Sequence, residues 1–339
     1  MANSHFDQKA GGLLDVGFLF QHILFECAET KNFFQGGVIM SRNYGIGTRD
    51  LGTAGRLWLQ RPQSGLSYSS IATYSRSWEG GFAPFAKQNG VGRMERIDKE
   101  LVNNFVKNLV KQGHSAATIK NYIAAINTVM KQANPEWKSI KPSDIGAPRR
   151  SYVRTKAPIL DREPLIRAKN SLTDDREKIL IDLARDFGLR KKEACLFDAK
   201  TAQKEAKSGR ITISTGTKGG RVRIVPITNQ RQIDTINAAA RIQGKDRSMI
   251  PANMSYKDFR PTIDRVSAAL KRETGQSLHS LRAAYACQRY REITGYHAPV
   301  IAGRRLADKA ADYQARAQIA TELGHGRTDV VAAYVGSAR

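Results

Sequence analysis

The chain has 339 residues, with 55 Lys+Arg against 31 Asp+Glu and a net charge of +24, so its field attracts a polyanion such as nucleic acid. A ribosome-associated protein, or a basic protein with no nucleic-acid role, has the same balance. Three cysteines (Cys27, Cys195 and Cys287) lie far apart with no CxxC pair, which argues against a disulfide scaffold or structural zinc and suits a reducing cytoplasm.

The hydrophobic share of 41% is enough to fill the cores of two domains at this length. The longest apolar stretch, Leu13 to Phe25, is interrupted by Asp15, Gln21 and His22. It is too short for a membrane span and lacks the basic flank of a signal peptide. Residues 1–39 differ from the rest: they carry a balance of −2, leaving +26 for residues 40–339, and hold six phenylalanines. They read either as an interaction segment or as an extension ahead of a start at Met40.

From about residue 64 to 135 the pattern is helical. Tyr68, Ile71, Tyr74, Trp78 and Phe82 recur at spacings of three and four, giving one apolar face between Ser67 and Phe85. Leu101, Phe105, Leu109 and Val110 mark a second helix that ends at Gly113. Ser115 is the N-cap of a third, with Ile119, Tyr122, Ile123, Ile126 and Met130 on one face until Pro135. Its other face presents Lys120 and Asn121, either to DNA phosphates or simply to solvent. Residues 138–157, with Pro142, Gly146, Pro148 and the pair Arg149-Arg150, have no periodicity and read as a basic linker. Beyond Asp161, Glu163 to Lys169 and Asp174 to Phe187 read as helices, the second halted at Gly188. Residues 211–215 and 221–225 alternate as β segments about a Gly216-Thr-Lys-Gly-Gly220 turn. Ala-rich helices follow, among them Leu306 to Leu323, preceded by a loop from Gly295 to Arg305. The fold class expected is mainly α with a small antiparallel β-sheet.

Four basic clusters occur in order: Gly188-Leu-Arg190-Lys-Lys-Glu193, Thr217-Lys218-Gly-Gly, His279-Ser-Leu-Arg282, and Leu323-Gly-His325, with Tyr334 nine positions after that histidine. Cleavage of a phosphodiester needs a nucleophile, cations on the non-bridging oxygens, and a proton for the leaving oxygen. Guanidinium forks meet phosphate oxygens bidentately at any relevant pH. His279 and Arg282, at i and i+3, face one ligand from a helix. Lys218, at a glycine-rich turn, can reach a leaving group. Each residue alone has a bland reading: a surface arginine, a solvated turn lysine, a buried structural histidine, a helix-surface glutamate. The order and spacing of all six give them weight together. Clustered carboxylates for a two-metal nuclease and a GxxxxGK[ST] loop are both absent from the sequence.

These motifs resemble the tyrosine recombinase (phage integrase) family, over roughly residues 64–339 and most strongly from Arg190 to Tyr334. The resemblance implies a helical core-binding DNA domain at 40–137, to which Ser115 to Tyr122 is similar, a linker at 138–157, and a catalytic domain at 158–339. It implies Arg190, Lys218, His279, Arg282, His325 and Tyr334 as catalytic residues. Arg190 and Arg282 would clamp the scissile phosphate, Lys218 would be the general acid and Tyr334 the nucleophile. Glu193 would support them, and Arg221 and Arg223 would contact phosphates. No cofactor or metal is implied. The partners it implies are double-stranded DNA sites, further copies of the chain in a homotetramer on DNA that recombines through a Holliday junction, and accessory DNA-bending or directionality proteins, in a bacterial, archaeal or phage-encoded cytoplasmic setting. A type IB topoisomerase shares the residue set, and a DNA-binding protein could keep the fold without the chemistry. Two departures from the family concern assembly. The Gly295–Arg305 loop lengthens the interval from Arg282 to His325, which suggests a protomer contact there, and only Val335 to Arg339 follow the tyrosine.

Overall fold

A computed structural model of the protein describes residues 42–338; the acidic Phe-rich segment 1–39 and Met40 lie outside the described residues. The chain divides into two units, split between Arg150 and Ser151.

Among the described residues the first unit holds five α-helices: α1 (Leu51–Gln60), α2 (Tyr68–Ser77), α3 (Ala83–Gln88), α4 (Lys99–Lys111) and α5 (Ala116–Ala133). A single π-helical turn, Trp78–Phe82, joins α2 to α3. Helix starts are set by short polar side chains: Asp50 accepts from the Thr53 amide at 2.7 Å, Asp98 from Leu101 at 2.8 Å and Ser115 from Thr118 at 3.2 Å. The core is built from Leu51, Trp58, Trp78, Phe82, Phe105, Ile119, Ile126 and Met130. Tyr68 and Val110, placed on apolar faces by periodicity, are 85% and 46% exposed, each at the end of its helix. The stretch read as linker joins this core at its start, where Ile140 and Ile145 are buried. The Asn127 side chain holds Ile140 there, donating to its carbonyl at 2.8 Å and accepting its amide at 2.9 Å.

Periodicity missed α1, because Gly52 and Gly55 interrupt an otherwise apolar stretch. The structure supplies the reason for Gly55. A Cβ at that position would lie 2.1 Å from Trp78 Nε1, so the bare backbone is what lets the indole pack and donate to Leu51 O at 2.8 Å.

The second unit runs α6 (Glu163–Asn170), α7 (Asp175–Asp186), α8 (Lys191–Cys195), α9 (Ala199–Ala206), β1 (Arg210–Ile213), β2 (Arg223–Pro226), α10 (Gln230–Gln243), α11 (Arg260–Thr274), α12 (Leu278–Thr294), α13 (Pro299–Ala302), α14 (Lys309–Glu322) and α15 (Ala332–Val335). The strands pair antiparallel, with Ile211 opposite Val225 and Ile213 opposite Arg223. The fold is therefore mainly α with one small antiparallel sheet, as the pattern predicts. Helix α12 is the hub, packed against α7, α11, α14 and α15. Its Ala283, Ala284 and Ala286 are all buried; methyl-sized side chains let neighbours approach it from every side. Residues 295–305 are not a free loop, since α13 forms within them and Ala298 and Pro299 are buried.

Gly55→Ala tests the α1 packing. The added methyl must displace Trp78, so a loss of about 1–3 kcal/mol is expected. Thermal unfolding checks it, and an unchanged melting temperature would remove the close-approach argument.

Candidate active site

The site begins where α7 stops. After Gly188 and the buried Leu189, Arg190 is the N-cap of α8 and Glu193 its third residue. The Arg190 amide donates to Glu193 Oε2 at 2.8 Å, and Arg190 Nη1 to Oε1 at 2.5 Å. Glu193 is wholly buried and also accepts from Arg223 Nη2 at 2.6 Å. Burial pushes its carboxyl pKa up, but the Arg223 charge and the Arg190 amide outweigh that, so it titrates below the ordinary range.

Arg223 corrects an expectation. It does not reach outward to phosphates; it is 3% exposed and donates to Glu193 and, at 2.6 Å, to the Glu322 carbonyl. The alternation of β2 carries the signal, because Arg223 shares the inward face with Val225 while Val222 and Ile224 are exposed. Glu322 is a second residue that sequence reasoning passed over. It is buried, accepting from Tyr285 Oη at 2.7 Å and from Arg289 Nε and Nη2 at 3.0 and 2.8 Å. Nothing in its sequence neighbourhood distinguishes it from a surface glutamate.

Arg282, one turn into α12, is fully buried. Nη1 donates to Gly188 O at 2.5 Å, Nη2 to Leu323 O, and Nε to Tyr334 Oη at 3.3 Å. Arg190 Nη2 shares the Leu323 carbonyl at 3.5 Å. Burial, then the neighbouring Arg223, lowers the Arg282 pKa to about 10, which leaves it charged at neutral pH.

Leu323 and Gly324 end α14, and the His325 amide closes that end on Ala320 O at 2.8 Å. His325 Nε2 then lies 3.1 Å from Tyr334 Oη. Burial and the charges of Arg282 and Arg190 push its pKa down to about 4. His279, in the first turn of α12, has its ring 6.3 Å from that of Tyr334, and its pKa is lowered by burial and by the same two arginines. Tyr334 is 7% exposed. Among the other tyrosines near the motifs, Tyr285 and Tyr290 are core residues bonded to Glu322 and Asp312, while Tyr296 and Tyr313 are 50% and 64% exposed.

Arg190, Glu193, His279, Arg282, His325 and Tyr334 are thus gathered at one place. Lys218 is not among them: it lies exposed in the 218–220 turn, with no hydrogen bond or ion pair among the described residues. Arg221 follows that turn, with its guanidinium 3.2 Å from where a Cβ on Gly326 would be. Lys120, Asn121, Arg149 and Arg150 are exposed residues of the first unit. Three guanidinium groups around one carboxylate leave a positive surplus beside a phenol held by an arginine and a neutral imidazole. That arrangement suits an oxyanion brought to the phenol oxygen. No three His, Cys, Asp or Glu side chains converge as metal ligands among the described residues.

A sequence model of the integrase family matches residues 147–288, a span that holds Arg190, Glu193, Lys218, His279 and Arg282 and stops before His325 and Tyr334. No curated protein sequence matches the chain. Among solved structures, the chain is similar to the XerH site-specific recombinase bound to palindromic difH substrate, in a post-cleavage complex (16% identity, 85% of this chain, 80% of that one, TM-score 0.55). It is also similar to the Tn1549 transposon integrase in complex with transposon right end DNA (12% identity, 85% and 95%, TM-score 0.53). A third is a lambda integrase dimer bound to a COC′ core site (15% identity, 85% and 76%, TM-score 0.53). At these identities the likeness is one of fold. The integrase-family match over residues 147–288 and the fold shared with these recombinases and integrases agree with the ordered residues gathered around Tyr334.

Proposed function

We propose that the protein is a site-specific DNA recombinase that cuts and rejoins duplex DNA through a phosphotyrosyl intermediate. The observation that carries this reading is the Tyr334 hydroxyl, held between Arg282 Nε at 3.3 Å and His325 Nε2 at 3.1 Å. Arg190 and Arg282 bind the non-bridging oxygens of the scissile phosphate, and His279 adds a hydrogen bond. His325, neutral before DNA arrives, accepts the phenolic proton as Tyr334 Oη attacks phosphorus. The bond to the 5′-oxygen breaks, leaving a 3′-phosphotyrosyl linkage, and Lys218 protonates the departing 5′-oxygen. Attack by a 5′-hydroxyl from a second strand reverses the step. The bond energy is kept, so no ATP is spent.

In this reading the helices of residues 40–137 grip DNA, with Lys120 and Asn121 on phosphates, residues 138–157 with Arg149 and Arg150 form the linker, and residues 158–339 carry the chemistry. Strand exchange then runs through a homotetramer and a Holliday junction, assisted by DNA-bending or directionality proteins. No described helix is long and apolar enough to cross a membrane, and we place the protein on DNA in the cytoplasm.

Tyr334→Phe should abolish the covalent adduct on a nicked suicide duplex while changing DNA affinity less than about twofold, because phosphate contacts dominate that affinity. A protease-sensitive adduct in the Phe variant would assign the nucleophile elsewhere. Lys218→Ala should slow cleavage by about 10²–10⁴ and recover on a substrate with a 5′-thiolate leaving group, which needs no proton. Equal defects on both substrates would take Lys218 out of the acid role.

A histidine protonated at about 4 when folded and at about 6.5 when unfolded leaves the unfolded chain binding more protons in between. Stability of the DNA-free protein should therefore fall as pH drops from about 6.5 toward 4, with His279 adding in the same direction. His325→Gln should flatten that dependence in denaturant titrations at stepped pH. An identical slope in both proteins would mean that His325 is not held neutral.

A further inference from the structure

The helix that carries Tyr334 is only four residues long, Ala332–Val335, far below the length at which a helix holds itself together. Its position must come from outside. On its entry side the Arg154 amide donates to Ala332 O at 2.9 Å. On the α12 side Cys287 Sγ donates to Tyr334 O at 3.6 Å. Neither contact fixes where the chain goes after Val335, which decides how α15 is rotated and where the phenol points.

That exit is held by Arg316, on α14. Arg316 is 5% exposed, and its Nε donates to both Asp312 oxygens at 3.0 and 2.9 Å. Nη1 donates to Gly336 O at 3.1 Å and Nη2 to Ser337 O at 3.0 Å. Asp312 is 3% exposed and braced from α12 by Tyr290 Oη at 2.8 Å. Gly336 completes the turn with φ +91°, and a Cβ there would lie 2.6 Å from the Val300 amide of α13. The turn after the nucleophile is thus gripped by a guanidinium on one side and by α13 on the other.

We propose that Arg316 is a positioning residue for the tyrosine nucleophile, its two Nη groups setting the main chain at Gly336 and Ser337 so that Tyr334 Oη lies within reach of Arg282 and His325. The inference rests on the reading of Tyr334 as the nucleophile. Nothing about Arg316 requires it to touch DNA. A fork is needed, because one ammonium can pair with Asp312 but cannot meet two successive carbonyls and a carboxylate at fixed angles. Val300, within the Gly295–Arg305 segment, also backs the turn that follows Tyr334 in its own chain.

Arg316→Lys separates the fork from the charge, since the lysine keeps the pairing with Asp312. Single-turnover cleavage of a suicide duplex at saturating DNA should fall about tenfold or more, with DNA affinity and melting temperature near wild type. Hydrogen exchange of the 332–337 amides in the DNA-free protein should rise. Tyr290→Phe, which removes only the brace behind Asp312, should shift both readouts the same way by less. In Arg316→Ala, millimolar methylguanidinium should restore part of the cleavage rate. If Arg316→Lys cleaves at the wild-type rate with unchanged exchange, Arg316 is an ordinary buried ion pair and the proposal fails. Rates that fall only in step with melting temperature across the three variants overturn it equally. If wild-type protein forms no adduct on any duplex, the recombinase reading fails by itself, and the exchange measurement still decides whether Arg316 holds the turn.

Discussion

Holding three guanidinium groups side by side, two of them buried, would be prohibitive without an anion among them, and Glu193 is that anion. Its carboxylate accepts from Arg190 and Arg223 and lies 3.8 Å from Arg282 Nη1. Through it, the end of α7, the start of α8, strand β2 and helix α12 are tied to one point. Arg223 extends the tie to the Glu322 carbonyl, where α14 ends and His325 is about to be placed. One carboxylate against three cations holds the arginines apart yet leaves positive charge facing the phenol. Burial, and after it that surplus, lowers the pKa of both histidines, and His325 Nε2 lies 3.1 Å from the Tyr334 hydroxyl. The acid–base assignment and the architecture thus share a cause.

The site divides into a part fixed by hydrogen bonds and a part exposed to solvent. Arg282 is immobilised by two main-chain carbonyls and Tyr334, and Tyr334 by the turn that follows it. Lys218 is exposed on a turn containing two glycines with positive φ, so nothing in the protein fixes its ammonium. In the proposed mechanism, nucleophile and oxyanion donors are in place before substrate, while the proton donor depends on the duplex itself to be seated.

What was legible in the sequence was what local physics writes there. Ser115 announces its helix as a cap, the 3.6-residue spacing of Leu101, Phe105 and Leu109 gives a buried face, and the Gly-rich turn gives the hairpin. The order of the motifs predicted that Arg190, Glu193, Lys218, His279, Arg282, His325 and Tyr334 would converge, and all but Lys218 do. Three things were hidden because their causes are tertiary. Helix α1 looks broken by Gly52 and Gly55, and only the Trp78 indole explains the second glycine. Arg223 has the composition of a DNA contact, but the β2 register turns it inward. Arg316 and Glu322 belong to an Ala-rich helix whose polar residues look solvated until Tyr290, Arg289 and the chain after Tyr334 are folded against them.

Five main-chain oxygens anchor the arginines of this site: Gly188 O and Leu323 O for Arg282, Glu322 O for Arg223, and Gly336 O and Ser337 O for Arg316. A carbonyl is present whatever side chain its residue bears. Substitution at Leu323 or Ser337 leaves the acceptor where it was, so long as the helices keep their course. An active centre fastened in this way stores much of its geometry in the path of the backbone, and that store survives wholesale turnover of the letters around it. The chain can therefore share its fold with proteins at 12–16% identity and still bring five dispersed side chains to a single phenol.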